Sequence, residues 1–213
     1  MKKSNCFCMT VVLILSLIAA SGCAKNPSLT KPVNLAATSD SAKDVTVIYP
    51  VKKHGHKGGD VTPSQAYKMA MEDQHVFIVD VRTRPEYVLV GHPTIAYHVP
   101  VKFWTGKHTS KGYGMIPNEN FAQDLKNRFN PETDTLIFMC RSGGRSCEAA
   151  NEAAAKANWP VDQTYNMMGG FEGDKVKNKD SVFDGKRVLG GWKNEGLPWT
   201  YSVDPKRGYP EAN

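Results

Sequence analysis

Residues 135–157 read Thr135-Leu-Ile-Phe-Met-Cys140-Arg-Ser-Gly-Gly-Arg145-Ser-Cys147-Glu-Ala-Ala-Asn-Glu-Ala-Ala-Ala-Lys-Ala157. An apolar run of strand length stops at a cysteine, two glycines follow, and a stretch of alanine-rich helix formers begins at once, which predicts strand, tight loop, helix. A loop that short leaves the first backbone N–H groups of the helix without intrahelical partners and turns them toward one point, where the helix dipole also favours negative charge. Cys140 ends the strand at that point. Arg141 and Arg145 flank it, so the thiol pKa is expected to fall and the side chain to be held as thiolate, the nucleophilic form. Ser142, Gly143 and Gly144 contribute backbone to this cradle, the glycines because they let the chain turn tightly and approach a ligand closely. Ser146 is placed to cap the helix or to hydrogen-bond the sulfur.

Upstream, Val76-Phe-Ile-Val79 is a second continuous apolar run, as expected for a strand buried on both faces of a parallel sheet. It ends at Asp80, which puts Asp80 and Arg82 at a C-terminal strand end, where open α/β sheets hold their sites. Arg82 and Glu86 read as an ion pair that holds the next helix. Thr62-Pro63 is a helix start, with Ala66, Met69 and Ala70 on the apolar side. Phe121, Leu125 and Phe129 repeat at four-residue spacing and predict an amphipathic helix over 118–129 with Asn118 as cap. Residues 97–101 and 161–167 read as further strands. His92 and His98 read as turn or packing residues, and Trp192, Leu197 and Trp199 as core. Residues 103–117, with several glycines and scattered aromatics, read as a loop, either one that lids the pocket and presents Trp104, Lys107 or Tyr113 to a ligand or a surface excursion with one aromatic anchor.

The 213 residues are 40% hydrophobic, enough for one core with appendages. Met1-Lys-Lys3 followed by an apolar stretch over 9–20 has the form of a secretory signal and is too short for a stable span. Ala20-Ser-Gly-Cys23 resembles a bacterial lipobox, so Cys23 is the expected site of lipidation and the membrane anchor. Ordinary cleavage to a soluble periplasmic protein is the alternative, and Ala24 points to the outer rather than the inner membrane. Without Lys2 and Lys3 the chain has 25 basic against 21 acidic residues. That mild excess, with no basic run interleaved with aromatics, argues against nucleic acid as a partner. Cys6 and Cys8 leave with the signal. Cys140 and Cys147 remain, too few for a disulfide framework; Cys147 is read as packed near the helix start, with a resolving role as the alternative. Residues 24–44 have the composition of a flexible tether, and 45–49 of a short strand. His54 and His56 lack a third ligand nearby and read as a solvated loop with no metal.

Cys140-Arg-Ser-Gly-Gly-Arg145-Ser146 resembles the active-site loop of the rhodanese family of sulfurtransferases. Val79-Asp80-Val81-Arg82, Pro85-Glu86-Tyr87 and Gly91-His92 are similar to the family's first signature. Over roughly residues 61–199 the resemblance implies an α/β, three-layer rhodanese-like fold, a central, mostly parallel sheet of about five strands flanked by helices. It implies a catalytic Cys140 that carries sulfane sulfur as a persulfide, Arg141 through Ser146 as substrate-binding loop, and supporting roles for Asp80, Arg82 and Glu86. A small anionic sulfur donor and a thiol, cyanide or sulfite acceptor are the implied partners, and no cofactor is implied. The expected division is a signal over 1–22, tether and arm over 23–60, the domain over 61–201 and a tail over 202–213. Asn166-Met-Met-Gly-Gly-Phe-Glu-Gly173 looks like the family's closing Gly-Gly turn, here separated by an insertion over 174–189 from Gly190-Gly-Trp192. Phosphatases and arsenate reductases of this fold place five residues between cysteine and arginine, room for a tetrahedral oxyanion. Here there are four, which favours sulfur. A binding or redox-sensing module without turnover is the other alternative, and the retained cysteine argues against it.

Overall fold

The computed structural model describes residues 56–110 and 112–210. The signal segment, Cys23, the tether, the strand expected over 45–49 and His54 lie outside them. The described chain runs β1 (Asp60–Val61), α1 (Pro63–Glu72), β2 (Val76–Asp80), a π-helical turn (Glu86–Val90), β3 (His92–Pro93), β4 (Tyr97–His98), β5 (Lys102–Thr109), β6 (Gly112–Pro117), α2 (Phe121–Lys126), β7 (Thr135–Met139), α3 (Gly144–Lys156), a 3-10 turn (Val161–Gln163), β8 (Thr164–Met167), β9 (Asp174–Lys175), β10 (Arg187–Leu189) and β11 (Trp199–Thr200).

Five strands form one sheet in the order β1-β8-β7-β2-β4, every neighbour parallel. The two apolar runs pair in register from Val76↔Thr135 to Asp80↔Met139. Because side chains alternate across a strand, each run feeds two cores. Val79, Leu136 and Phe138 pack with Phe121, Leu125 and the alanines of α3, while Ile78, Ile137 and Met139 pack with Ala66, Tyr67 and Trp192 on the α1 side. The result is the expected three-layer α/β fold. Ala149, Ala150 and Ala153 are fully buried, and side chains that small let α3 lie close on the sheet. α1 begins with a reciprocal cap: Thr62 Oγ1 accepts from Gln65 N, and Gln65 Oε1 accepts from Thr62 N.

The structure departs from the sequence reading in its connections. Residues 103–117 form the antiparallel β5–β6 hairpin rather than a loop. Its glycines are conformational parts of that hairpin: Gly106, at φ +76°, sits in the irregularity between Trp104 and His108, and Gly112, at φ +126°, follows the turn. The insertion over 174–189 likewise pairs β9 with β10. It returns the chain so closely that a Cβ on Gly173 would lie 2.2 Å from Gly190 O. α2 is shorter than 118–129. Asn118 is held outside it by donating Nδ2 to Pro100 O and accepting from Asn120 N, and Pro131 disfavours helical backbone at Asn130. β4 stops before Pro100, which cannot donate to a ladder.

His56 is not a solvated loop residue. It is 9% exposed, its Nε2 donates to Thr164 O and Oγ1, and its Nδ1 lies 2.8 Å from Asn151 Oδ1. The packed structure therefore starts earlier than residue 61. At the other end, residues 203–210 lie against the fold: Arg207 O accepts from His98 N at 2.8 Å, Arg128 donates to Gly208 O, and Tyr209 OH donates to Asp124 Oδ2 at 2.7 Å. No described helix is long and apolar enough to cross a membrane.

Candidate active site

β7 is the central strand of the five, so its C-terminal end opens in the middle of the sheet edge, and Cys140 stands there. The residue is 2% exposed. Its Sγ receives the Gly143 N–H at 3.1 Å and lies 3.4 Å from Ser146 Oγ. Gly143, at φ +103°, turns the loop so that this N–H points inward, and α3 starts at the next residue. Burial pushes the Cys140 thiol pKa up, but the Arg145 guanidinium, the Ser146 hydroxyl and the N–H groups of Ser142 and Ser146 outweigh it. The thiol therefore lies below its ordinary value.

The Ser146 hydroxyl has one proton and two acceptors in reach, Cys140 Sγ and Asn166 Oδ1, the latter at 2.6 Å. Asn166 is itself oriented by Nδ2 donating to Asp60 Oδ1 at 2.6 Å. With Cys140 protonated, the thiol can donate to Ser146 and Ser146 to Asn166. With Cys140 ionised, the hydroxyl is free to turn to sulfur. Asn166 is a site residue the sequence reading did not single out; a polar side chain at the end of the strand beside the one that ends at Cys140 was the available signal.

The expected Arg82–Glu86 pair does not form. Residues 81–83 are not helical, so the two side chains do not stack at helical spacing. Arg82 instead folds back on Asp80, with Nη2 2.6 Å from Oδ2, donates to Gly91 O at 2.7 Å and lies 4.3 Å over the Phe171 ring. Both residues are fully buried, beneath the site rather than in it. Glu86 is paired with Arg145 through two bonds, at 2.7 and 2.6 Å, and also accepts from Thr83 N and Oγ1. Although burial pushes the Glu86 carboxyl up, Arg145 and Thr83 bring it down to about 2. Arg145 thus stands between a carboxylate and the sulfur. Arg141 has no carboxylate partner among the described residues, and it faces a cleft of about 230 Å³ with Glu86, Tyr113, Met115 and Arg145.

The closing Gly-Gly turn packs directly on the loop. Phe171 N donates to Cys140 O at 2.8 Å and Glu172 N to Arg141 O at 2.9 Å. A Cβ on Gly170, at φ +56°, would meet Cys140 O at 2.3 Å, so only glycine fits. His92 and His98 stack on Tyr87 from ring centroids 3.6 and 4.3 Å away; burial holds the His98 imidazole down to about 4. They pack behind the Asp80–Arg82 pair and touch no sulfur. Cys147 is a buried free thiol one turn into α3, 4.0 Å from Asn151 Nδ2.

Fold and site together define a parallel α/β protein with a buried cysteine of lowered pKa in an N–H cradle at the end of its central strand. The rhodanese-like domain model matches residues 62–177. The chain belongs to the rhodanese-like domain family. It is 34% identical over 143 residues to an uncharacterized protein of Rickettsia prowazekii, covering 67% of this chain and 97% of that one. Over 74 residues it is 34% identical to the chloroplastic rhodanese-like domain-containing protein 15 of Arabidopsis thaliana, 35% of this chain and 36% of that protein. A crystal structure of a protein from M. tuberculosis, 31% identical, covers 68% of this chain and 98% of its own, with a TM-score of 0.49.

Proposed function

We propose that this protein is a sulfurtransferase that takes sulfane sulfur from an anionic donor onto Cys140 and passes it to a thiophilic acceptor. The observation that carries the reading is the sulfur of Cys140, held by the Gly143 N–H at 3.1 Å beside Ser146 and Arg145. With thiosulfate as donor, the Cys140 thiolate attacks the outer sulfur, a Cys140–sulfur bond forms, the donor's S–S bond breaks and sulfite leaves with the electron pair. The persulfide keeps the single negative charge, which the same donors stabilise. Cyanide, sulfite or a thiolate then attacks the outer sulfur and returns Cys140 as thiolate. Arg141, free of a carboxylate at the cleft, is the residue suited to hold the donor's anionic end, since Arg145 is committed to Glu86.

Intact-mass spectrometry after thiosulfate or polysulfide tests this. A gain of one sulfur atom that cyanide removes, absent from Cys140→Ser, is the expected result; no added sulfur, or sulfur retained in Cys140→Ser, overturns it. We further propose export and lipidation at Cys23, supported by the charged start, the short apolar run and Ala20-Ser-Gly-Cys23. Incorporation of labelled palmitate into the wild type and not into Cys23→Ala is the outcome that agrees with it.

A further inference from the structure

The insertion over 174–189 folds back onto the turn it springs from. Its tip is in water, with Val182 and Phe183 exposed, but its base is fastened. Asn194 Nδ2 donates to Gly190 O at 2.7 Å and lies 3.1 Å from Glu172 O and 3.3 Å from Arg187 O, so one amide ties both ends of the insertion and β10 to the closing Gly-Gly turn. Along β10 the alternation of a strand leaves Val188 exposed and Arg187 and Leu189 half-buried. The Arg187 side chain reaches the turn, where Nη1 donates to Gly173 O at 2.7 Å. One residue back along that turn, Glu172 N donates to Arg141 O at 2.9 Å. A second guanidinium is thus delivered to the rim of the Cys140 loop from outside the loop itself.

Among the described residues neither Arg141 nor Arg187 has a carboxylate within ion-pair reach, and Arg187 uses one N–H on Gly173 and leaves the rest of its fork open. Burial and the Arg141 guanidinium hold the Arg187 pKa below its ordinary value, against the opposing pull of Glu172, Asp174 and the Cys140 sulfur. Two cations kept near each other by a stitched scaffold, with donors to spare, suit an oxyanion that bridges them and relieves their repulsion. We propose that Arg187 is a substrate-contacting residue supplied by the insertion: with Arg141 it forms a two-guanidinium subsite, at the rim of the Cys140 loop, for a tetrahedral oxyanion. In the sulfurtransfer reading, on which this choice of ligand rests, the oxyanion is the sulfite group that faces away from Cys140 during attack and then leaves. As the donor's S–S bond breaks, the electron pair moves onto that group, so both cations act where charge develops.

The test reads charge at the rim with two alkylating agents of similar size, anionic iodoacetate and neutral iodoacetamide, each followed on the Cys140 peptide of the full chain at low salt. Expected is a fall of about fivefold or more in the iodoacetate-to-iodoacetamide rate ratio in Arg187→Gln, which keeps an N–H for Gly173 O, and a ratio within about twofold of wild type in Arg187→Lys. The iodoacetamide rate alone reports whether the cradle has kept its shape. Lys179→Gln removes a charge from the exposed end of the insertion and should leave the ratio unchanged. Sulfate at constant ionic strength should slow labelling of the wild type and not of Arg187→Gln. A ratio that Arg187→Gln leaves in place, or that Lys179→Gln lowers as far, overturns the inference, as does equal protection by sulfate in wild type and Arg187→Gln. Sulfur uptake from thiosulfate, measured alongside, separates the two readings: uptake with an unchanged ratio leaves sulfurtransfer standing without Arg187, whereas the expected ratio with no uptake upholds the oxyanion subsite and overturns sulfite as its ligand.

Discussion

Arg145 serves two anions at once, a buried carboxylate and a buried sulfur, and its removal acts on both. In the wild type the folded-state pKa of Glu86 lies below its ordinary 4.5, at about 2. The pair therefore contributes stability that is present above pH 4.5 and is lost as pH falls toward 2. In Arg145→Gln, Glu86 keeps Thr83 but loses its cation while remaining 3% exposed. Burial then raises its pKa, and the dependence inverts: the variant is most stable in acid and weakens as pH rises through neutrality. We expect a loss of about 3 kcal/mol at pH 7, read by urea unfolding across pH. The pH midpoint of iodoacetamide reaction at Cys140 moves up in the same variant, because its largest favourable influence is gone. Ser146→Ala moves that midpoint in the same direction without the stability inversion, which separates the two roles. Cys140 and its loop were legible in the sequence because everything that defines them lies within seven consecutive residues. Glu86 was read as the partner of Arg82, and Asn166 only as part of a strand and the closing turn; their actual partners lie 59 and 20 residues away, and local pattern carries no information on which side chains will meet.

Strands and helices that bury two faces or one stripe announce themselves, and β2, β7, α1 and α3 did so. The β5–β6 hairpin did not, since its glycines read as loop signals while in the fold Gly106 and Gly112 supply left-handed backbone to paired strands; the β9–β10 pair read only as a polar insertion. At this scale the sharpest prediction concerns Gly170. A methyl group there meets Cys140 O, Arg141 C and Ser142 N at 2.3 to 2.7 Å, all backbone, so the loop must move. Gly170→Ala should cost about 1–3 kcal/mol and slow persulfide formation by at least about tenfold, the scale of a misplaced catalytic group; stopped-flow uptake from thiosulfate checks it. Thr62→Ala, which breaks the reciprocal cap of α1 far from the loop, should cost about 1 kcal/mol with uptake per folded molecule unchanged.

Across the whole molecule, both ends of the described chain are stitched to the sheet, on different elements. His56 bonds β8 and α3, and α3 carries the Cys140 loop at its start. Residues 203–210 bond β4, α2 and the turn before β3 through Arg207, Gly208 and Tyr209. The sequence suggested tails at both ends, because these segments are polar and lack period; what holds them is backbone pairing and single side chains, to which hydrophobic pattern is blind. The difference in attachment yields opposite consequences. Ending the chain at Ser202 removes the acceptor of the buried His98 N–H, two acceptors of Arg128 and the Tyr209 donor to Asp124. At about 1 kcal/mol net for each bond, the truncated chain should lose about 3–4 kcal/mol, seen as a lower urea midpoint. None of those contacts reaches Cys140, so the pH midpoint of its alkylation should stay where it is. His56→Ala should also destabilise, but through α3, and there the alkylation profile should shift as well. Matching shifts in both variants would mean that the cradle senses the whole sheet rather than the helix that bears it.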